Sequence, residues 1–425
     1  MKQFFSFAMA LFVSSVFAQE TPAPSQKKAI YITNTTLHLG NGKVIENGVI
    51  GFSQGEITYV GNGSEIRINR TEAEVIDGNG KHVYPGLIAL DTYIGLNEIE
   101  SIQATVDHEE TGSVNPNVRA LIAFNTDSRV TPTVRSNGVL LAQVTPTGGM
   151  ISGSSSVVQL DGWNWEDAAY RTDDAIHLNW PNMDPVQAWW AGSVEDQQKQ
   201  TKEQLMQMEQ FFAEAKAYHE SSNRPFNARF EGMKAVLSGK QALFIHVSQA
   251  KGIVASVNFA EKWGIRPVLV GAEDALLVKE FLLEHKVAVV VKETHRLPRR
   301  EDDPVDEPYT FPARLKSAGI PFAFAGKGGW AGRNLAYESG TAAAHGLGKE
   351  AALRSVTLTA AEILGIEKRT GSLEIGKDAN LFLCEGDALN MSTSNLQHAW
   401  IHGRSISLES KQTRLYEKFQ RKNKE

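Results

Sequence analysis

Two patterns of hydrophobic and polar positions divide the chain. Between residues 29 and 77, short apolar or alternating stretches are separated by turn signals such as Asn41-Gly42, which is typical of small all-β units. From Pro85 onward, apolar runs alternate with helix-type segments, which predicts parallel strands and a TIM-like (β/α)8 barrel in an α/β fold. The predicted strands of the first pattern are 29–33, 48–52, 57–60 and 73–76, and those of the second include 139–144, 243–246, 266–270, 287–291 and 322–325.

Short strands return near the C-terminus, at residues 381–384 and 398–402. Because both ends carry the β pattern and the middle carries the barrel pattern, we predict one small β-sandwich domain built from both ends. The predicted boundaries are 29–84 together with 371–412 for the sandwich and 85–370 for the barrel. The glycine- and serine-rich stretch 147–156 is predicted to be a loop after a barrel strand.

The N-terminus has the pattern of a secretory signal peptide. Lys2 precedes an apolar run, and Ala18 ends a small-residue cleavage site, so residues 1–18 are predicted to be removed and the protein to be secreted or periplasmic. Residues 19–28 are predicted to be a linker, with the part before Lys27 packing against nothing. The single cysteine, Cys384, excludes internal disulfides, and no cysteine near the cleavage site offers a lipid anchor.

Composition and charge exclude some classes of binding partner. With 42% hydrophobic and 22% charged residues, the chain is typical of globular proteins. Its formal net charge is -6 and it has no long basic block, which argues against nucleic acid or an anionic membrane as a partner. We therefore expect no nucleic-acid partner and no membrane anchor.

The stretch 85–96 organises the barrel. A Pro-Gly turn leads into an apolar run, and polar groups follow where the run ends, as in a buried strand that delivers side chains to a site at its C-terminal end. Three stretches, 77–96, 145–160 and 360–383, resemble the amidohydrolase superfamily in its imidazolonepropionase-like and dipeptidase-like branches. The last contains Gly-Ser-Leu-Glu-Ile-Gly-Lys-Asp-Ala-Asn-Leu, close to the family's closing motif. The resemblance implies a barrel with a β-sandwich.

The resemblance also implies a divalent metal, often zinc, but the ligand positions are altered. The family's first His-x-His pair falls on Asp91 and Tyr93, and a middle-strand histidine is matched by His246. The next strand ends at Gly271, where many relatives carry histidine, and the final aspartate falls on Lys327. With one matching histidine, we predict no metal and no other cofactor, because a catalytic zinc needs about three protein ligands.

The candidate catalytic residues are Asp91, His246 and Lys327, and the candidate ligand-binding residues are Tyr93 and His295. Structural roles are open for each: His246 as a satisfied core histidine, Tyr93 as a packed ring, and His295 as a residue of a surface loop. We hypothesise that the Lys327 ammonium takes the place of the cation, with Asp91 as its counter-charge.

Three functions follow. The resemblance implies hydrolysis of non-peptide carbon–nitrogen bonds in cyclic or linear amides. The altered ligands favour an inactive homologue, a pseudoenzyme that binds a ligand or pairs with an active relative. The expected partners are thus a small-molecule ligand or substrate at the barrel mouth and either a second copy in a homo-oligomer or an active relative. A third possibility is a metal-independent acid/base enzyme that uses Lys327, Asp91 and His246.

Overall fold

The computed structural model describes residues 21–99, 101–326 and 328–423. The predicted signal peptide, residues 1–18, lies outside these ranges, so its cleavage and export remain predictions. No helix in the described ranges has the length and apolar character needed to cross a membrane. The strands are β1 (Ala29–His38), β2 (Val44–Ser53), β3 (Glu56–Asn62), β4 (Ala73–Asp77), β5 (His82–Pro85), β6 (Leu87–Thr92), β7 (Val139–Val144), β8 (Ile151–Gln159), β9 (Ala169–Asn179), β10 (Ala242–Val247), β11 (Pro267–Gly271), β12 (Ala288–Val291), β13 (Phe322–Phe324), β14 (Leu381–Cys384), β15 (Leu396–Ile401) and β16 (Arg404–Ile406).

Helices connect the later strands and cover the barrel. Thr131-Pro132 opens the first helix, and Gly319 ends the eighth in the left-handed conformation that glycine favours at a helix end. The α-helices are α1 (Thr131–Arg135), α2 (Trp165–Ala168), α3 (Val194–Glu220), α4 (Ala228–Gly232), α5 (Lys234–Leu237), α6 (Ala250–Lys262), α7 (Lys279–Glu284), α8 (Glu307–Ala318), α9 (Leu335–Ala342), α10 (Lys349–Ser355), α11 (Leu358–Leu364) and α12 (Lys411–Lys422), with a π-helical turn at Ala343–Leu347.

The two chain ends form one β domain, as the sequence predicts. Its strand order is β16-β15-β14-β5-β1-β2-β3, with β4 paired to β1. The C-terminal strand β14 pairs antiparallel with β5, which places it directly beside the segment that enters the barrel. Phe52 and Trp400 come from opposite ends of the chain and pack edge to face, with ring centroids 5.5 Å apart. The apolar face of each end therefore covers that of the other.

The barrel contains the eight strands β6 to β13 in sequence order. A bridge between Leu90 and Ala325 joins its first and last strands, so the barrel is nearly closed and the predicted fold class is confirmed. All six residues of β7 are buried. Side chains that point into the barrel pack in its core, and those that point outward pack against the surrounding elements. The chemistry-bearing residues therefore appear where the strands end.

One part of the barrel departs from the prediction. The stretch 147–156 was expected to be a loop, but β8 begins at Ile151 and runs antiparallel to both β7 and β9. The prediction holds for 147–150 and is wrong for 151–156, because the small hydroxyl side chains there are buried with partners: Ser155 Oγ donates to Asp174 Oδ1 at 3.0 Å, and Ser156 Oγ accepts from the Asp173 N–H at 2.9 Å. Satisfied hydroxyl groups make a buried, serine-rich strand stable.

The segment before Lys27 is also different from the expectation. Within its described part, Pro22 is buried and the Ala23 N–H donates to Asp161 Oδ2 at 3.1 Å. Arg404 donates to the Ala23 carbonyl at 3.3 Å. The prediction that this segment packs against nothing is therefore wrong, because the buried Asp161 carboxylate draws the segment onto the surface beside β16.

Candidate active site

Three strands bring a carboxylate and two imidazoles together at the barrel mouth. Asp91 lies near the end of β6, His177 on β9 and His246 on β10, and one ligand atom from each lies within 4.8 Å of the others. His177 Nδ1 and His246 Nε2 are 3.0 Å apart, and His246 Nε2 is 3.9 Å from Asp91 Oδ1. We call these three residues the mouth cluster.

Sequence reasoning selected Asp91 and His246 but missed His177. The missed histidine lies in the run Ala175-Ile176-His177-Leu178, where an apolar stretch precedes a polar end in the same way as around His246. This pattern is present in the sequence, but the charged residues in the first half of β9 interrupt the apolar run that would have predicted a buried strand. In the structure, β9 pairs with β10 and places His177 in register with Phe244. This pairing brings His177 next to His246, which lies two residues after Phe244 on β10.

Burial keeps both imidazoles neutral. It lowers the pKa of His177 well below its ordinary value, and the neighbouring His246 lowers it further. Burial also lowers the pKa of His246, against the opposing effect of Asp91 and together with the positive charge of Lys292. Neutral imidazoles have free lone pairs, so the cluster offers two nitrogen donors and one carboxylate oxygen.

A buried network fixes the backbone of Asp91. This residue has a φ of 51°, in the left-handed region that costs most residues energy. Its N–H donates to Gln143 Oε1 at 3.1 Å, and Gln143 Nε2 donates to Asp174 Oδ2 at 2.7 Å and to Ser155 Oγ at 3.2 Å. Burial raises the pKa of Asp174 to about 6, while the bonds from Gln143 and Ser155 oppose the shift. The antiparallel strand β8 therefore takes part in positioning the mouth cluster.

The donor set fits a divalent metal such as zinc. A catalytic zinc takes three protein ligands of the histidine and carboxylate type and keeps a fourth position open. Two nitrogens on one zinc lie about 3.3 Å apart if each bond is about 2.0 Å and the geometry is tetrahedral, close to the 3.0 Å between His177 and His246. His177 Nε2 is buried and has no hydrogen-bond partner in the described part of the chain. It lies on the opposite side of the ring from Nδ1, so a metal shared with His246 would be bound by Nδ1 and not by Nε2.

A further ligand is blocked at Gly271. This glycine has a φ of +92°, and an added Cβ would lie 3.2 Å from Glu273 Oε2 and 3.3 Å from Lys292 Cε. These two side chains take the space that a histidine at this position would enter. Among the described residues, the mouth cluster therefore has three ligand side chains, with the positive charge of Lys292 near it.

The remaining predicted residues have contacts of their own or fall outside the described ranges. Tyr93 stacks on His108 with ring centroids 4.4 Å apart, and His108 Nδ1 is 2.8 Å from Thr147 Oγ1. His295 instead contacts helix α9. Lys327 is not among the described residues, so its proposed ion pair with Asp91 remains a hypothesis.

Comparison with known proteins agrees with the fold. An amidohydrolase from Thermotoga maritima matches with a TM-score of 0.75 and 22% identity, over 89% of this chain and 99% of the other. An adenosine deaminase from Xanthomonas campestris, solved with bound zinc, matches with a TM-score of 0.54 and 15% identity, over 94% of this chain and 99% of the other. A molinate hydrolase matches with a TM-score of 0.54 and 15% identity, over 92% of this chain and 96% of the other.

The sequence comparisons give one family match, over part of the chain. No curated protein matches the chain significantly. The model of the amidohydrolase family matches residues 212–406, which run from α3 to β16 and include β10 with His246. The family match supports a general hydrolase role. Residues 212–406 therefore match the amidohydrolase family model, and the described chain has the fold of its amidohydrolase neighbours.

Proposed function

We propose that this protein is a metal-dependent hydrolase of non-peptide carbon–nitrogen bonds in cyclic or linear amides. The observation that carries the proposal is the mouth cluster of Asp91, His177 and His246 at the end of the barrel strands. The family match and the zinc reported in a structural neighbour support the same chemistry. The expectation of no metal counted only one histidine, whereas the structure supplies a second.

The residues of the mouth cluster have different roles in this proposed function. His177 and His246 present nitrogen lone pairs because burial keeps them neutral, and Asp91 adds the negative charge that a dication needs. A bound divalent metal lowers the pKa of water to about 7 and polarises a carbonyl oxygen. Lys292 brings a positive charge near His246 and is suited to hold an anionic group of the substrate.

A second candidate is an inactive homologue that binds a ligand or pairs with an active relative. The observation that favours it is the blocked position at Gly271, where Glu273 and Lys292 fill the space beside the mouth cluster. A site with a fixed cation in place of another metal ligand suits the binding of a carboxylate without hydrolysis.

A hydrolysis screen separates these functions. The purified full chain, loaded with zinc or manganese, is assayed against cyclic amides, N-acyl amino acids and dipeptides, before and after removal of metal by a chelator. We expect turnover that chelation abolishes and metal restores. His177→Asn should reduce turnover by about 100-fold or more, while the exposed His398→Asn should not.

The other outcomes each identify a different function. Stable ligand binding without turnover in the metal-loaded protein would support the inactive homologue. Turnover that is unchanged by chelation and lost in Asp91→Asn would support metal-independent acid/base chemistry.

A further inference from the structure

A second group of polar side chains lies between the end of β12 and helix α9. His295 Nδ1 is 3.1 Å from Glu338 Oε1, and His295 Nε2 is 2.7 Å from Thr341 Oγ1. Glu338 and Thr341 are three residues apart on α9 and therefore face the same side of the helix. We call these three residues the outer cluster.

The tautomer of the neutral His295 ring follows from its partners. Glu338 Oε1 lies 3.1 Å from Nδ1 and its negative charge favours the tautomer in which that nitrogen carries the hydrogen. The other nitrogen, Nε2, then has a free lone pair, and the Thr341 hydroxyl donates to it. A helical threonine often bonds to a carbonyl of its own helix, but this one is directed at an imidazole.

Glu338 is fixed and buried. Its Oε2 accepts from the Thr294 N–H at 2.6 Å, from the His295 N–H at 2.9 Å and from the Thr294 hydroxyl. Oε1 remains for the His295 ring. A carboxylate held by three other donors cannot rotate away, so it orients the imidazole and stabilises that ring when it becomes charged.

The hydroxyl faces a cavity large enough for a small substrate. The cavity has a volume of about 430 Å³, within the usual range for ligand sites. Gly340 makes its wall possible, because an added Cβ there would lie only 2.0 Å from the Leu389 carbonyl oxygen. The rest of the lining has an apolar part and three polar side chains: Tyr337, Ala343, Ala344, Leu389 and Met391, with Lys349, Asp387 and Asn390.

We propose that the outer cluster is a second hydrolytic site, in which Thr341 is a nucleophile for small esters with an apolar acyl group. His295 is its general base and Glu338 is a positioning residue. A hydroxyl, a histidine and a carboxylate linked in this order are the minimum for acyl transfer. The apolar part of the lining selects the acyl group, and Asn390 supplies a donor for the carbonyl oxygen, since Lys349 is paired with Asp387 at 2.7 Å.

The reaction is balanced without a cofactor. Thr341 Oγ1 attacks the ester carbonyl while its proton passes to His295 Nε2. The tetrahedral intermediate then releases the alcohol, which takes that proton, and leaves an acyl ester on Thr341. Water attacks the acyl ester, His295 accepts and returns a proton, and the carboxylic acid leaves with the threonine restored.

Covalent labelling tests the nucleophile directly. The purified full chain is treated with chelator, reacted with p-nitrophenyl butyrate, quenched in acid and analysed by peptide mass spectrometry. We expect saturable release of nitrophenol and a butyryl group on Thr341. Thr341→Ser should retain both, and Thr341→Val should lower the rate by about 100-fold or more. The control Thr310→Val removes a helical hydroxyl outside the cavity and should leave the rate unchanged.

A separate variant tests the positioning role. Glu338→Gln should lower kcat with little change in KM, because Glu338 does not touch the substrate. The labelling result on the unmodified chain needs no variant and holds even if a variant fails to fold. A butyryl group found only on other residues, or an unchanged rate in a folded Thr341→Val protein, would overturn the proposal.

Discussion

The mouth cluster and the outer cluster both contain histidine and a carboxylate, but their hydrogen bonds differ. In the outer cluster, both ring nitrogens of His295 have partners, and Glu338 accepts from several donors. In the mouth cluster, His177 has one buried nitrogen without a partner in the described ranges, and its other nitrogen faces a second imidazole. The first arrangement has a protein group at each ring nitrogen, whereas in the second the facing nitrogens of two neutral imidazoles would share a bound cation as their partner.

Protein stability in the metal-free state should also depend on the network below the mouth cluster. The ordinary pKa of Asp174 is 3.8 and burial raises it to about 6, so the folded state binds this proton more tightly than the unfolded state. Its contribution to stability is therefore largest at low pH and is lost as the pH rises from about 4 to above 6. The difference is about 2 to 3 kcal/mol.

Asp174→Asn should remove this dependence. Between pH 4 and pH 7, its free energy of unfolding should rise by about 2 to 3 kcal/mol relative to wild type, measured by denaturant melts. Asp173→Asn is a matched control, since its carboxylate pairs with Arg119 at the surface. An equal pH dependence of stability in wild type and Asp174→Asn would show that burial does not raise the pKa of Asp174 as described.

The next prediction, with a smaller effect, compares the loss of stability on replacing His295 with the loss on replacing His177. His295→Leu should destabilise the metal-free protein by about 1–3 kcal/mol, because it leaves Glu338 Oε1 without its ring partner. His177→Leu should cost less than about 1 kcal/mol, because the lost bond to His246 is offset by removal of an unsatisfied nitrogen. Denaturant melts in chelator measure both. A larger cost for His177→Leu would reverse the comparison.

The smallest effect concerns the blocked position beside the mouth cluster. Gly271→Ala should cost about 1 kcal/mol, since φ is +92° and the new methyl group would press on Glu273 and Lys292. Gly192→Ala is a matched control, with a φ of +76° and nothing within 4 Å of the added Cβ. Equal melting shifts for the two variants would show that backbone conformation alone sets the cost and that the space beside Gly271 is not filled.

The predictable part of this structure is local. The apolar runs that end in polar residues correctly gave β6 and β10, with Asp91 and His246, and the turn-rich ends gave the β domain. The serines of β8 look like a loop because their partner, Asp174, lies on another strand. The sequence pattern does not show that a polar side chain finds its hydrogen-bond partner on another strand.

The candidate sites show the same limit. His177 was missed because the first half of β9 is charged, and its role depends on pairing with β10. His295 was selected as a residue near a strand end, but its partners lie more than forty positions away, 43 for the Glu338 bond and 46 for the Thr341 bond. A sequence names the residues that can do chemistry, and the fold decides which of them meet.

Metal titration of the purified chain is the most direct test of the central claim. Zinc added to chelator-treated protein should bind tightly at about one ion per chain, as followed by calorimetry and elemental analysis. His177→Asn should weaken binding by about 100-fold or more, and the exposed His398→Asn should leave it unchanged. Absence of tight binding in the folded wild-type chain, or equal affinity in His177→Asn, would contradict the assignment of the mouth cluster as a metal centre.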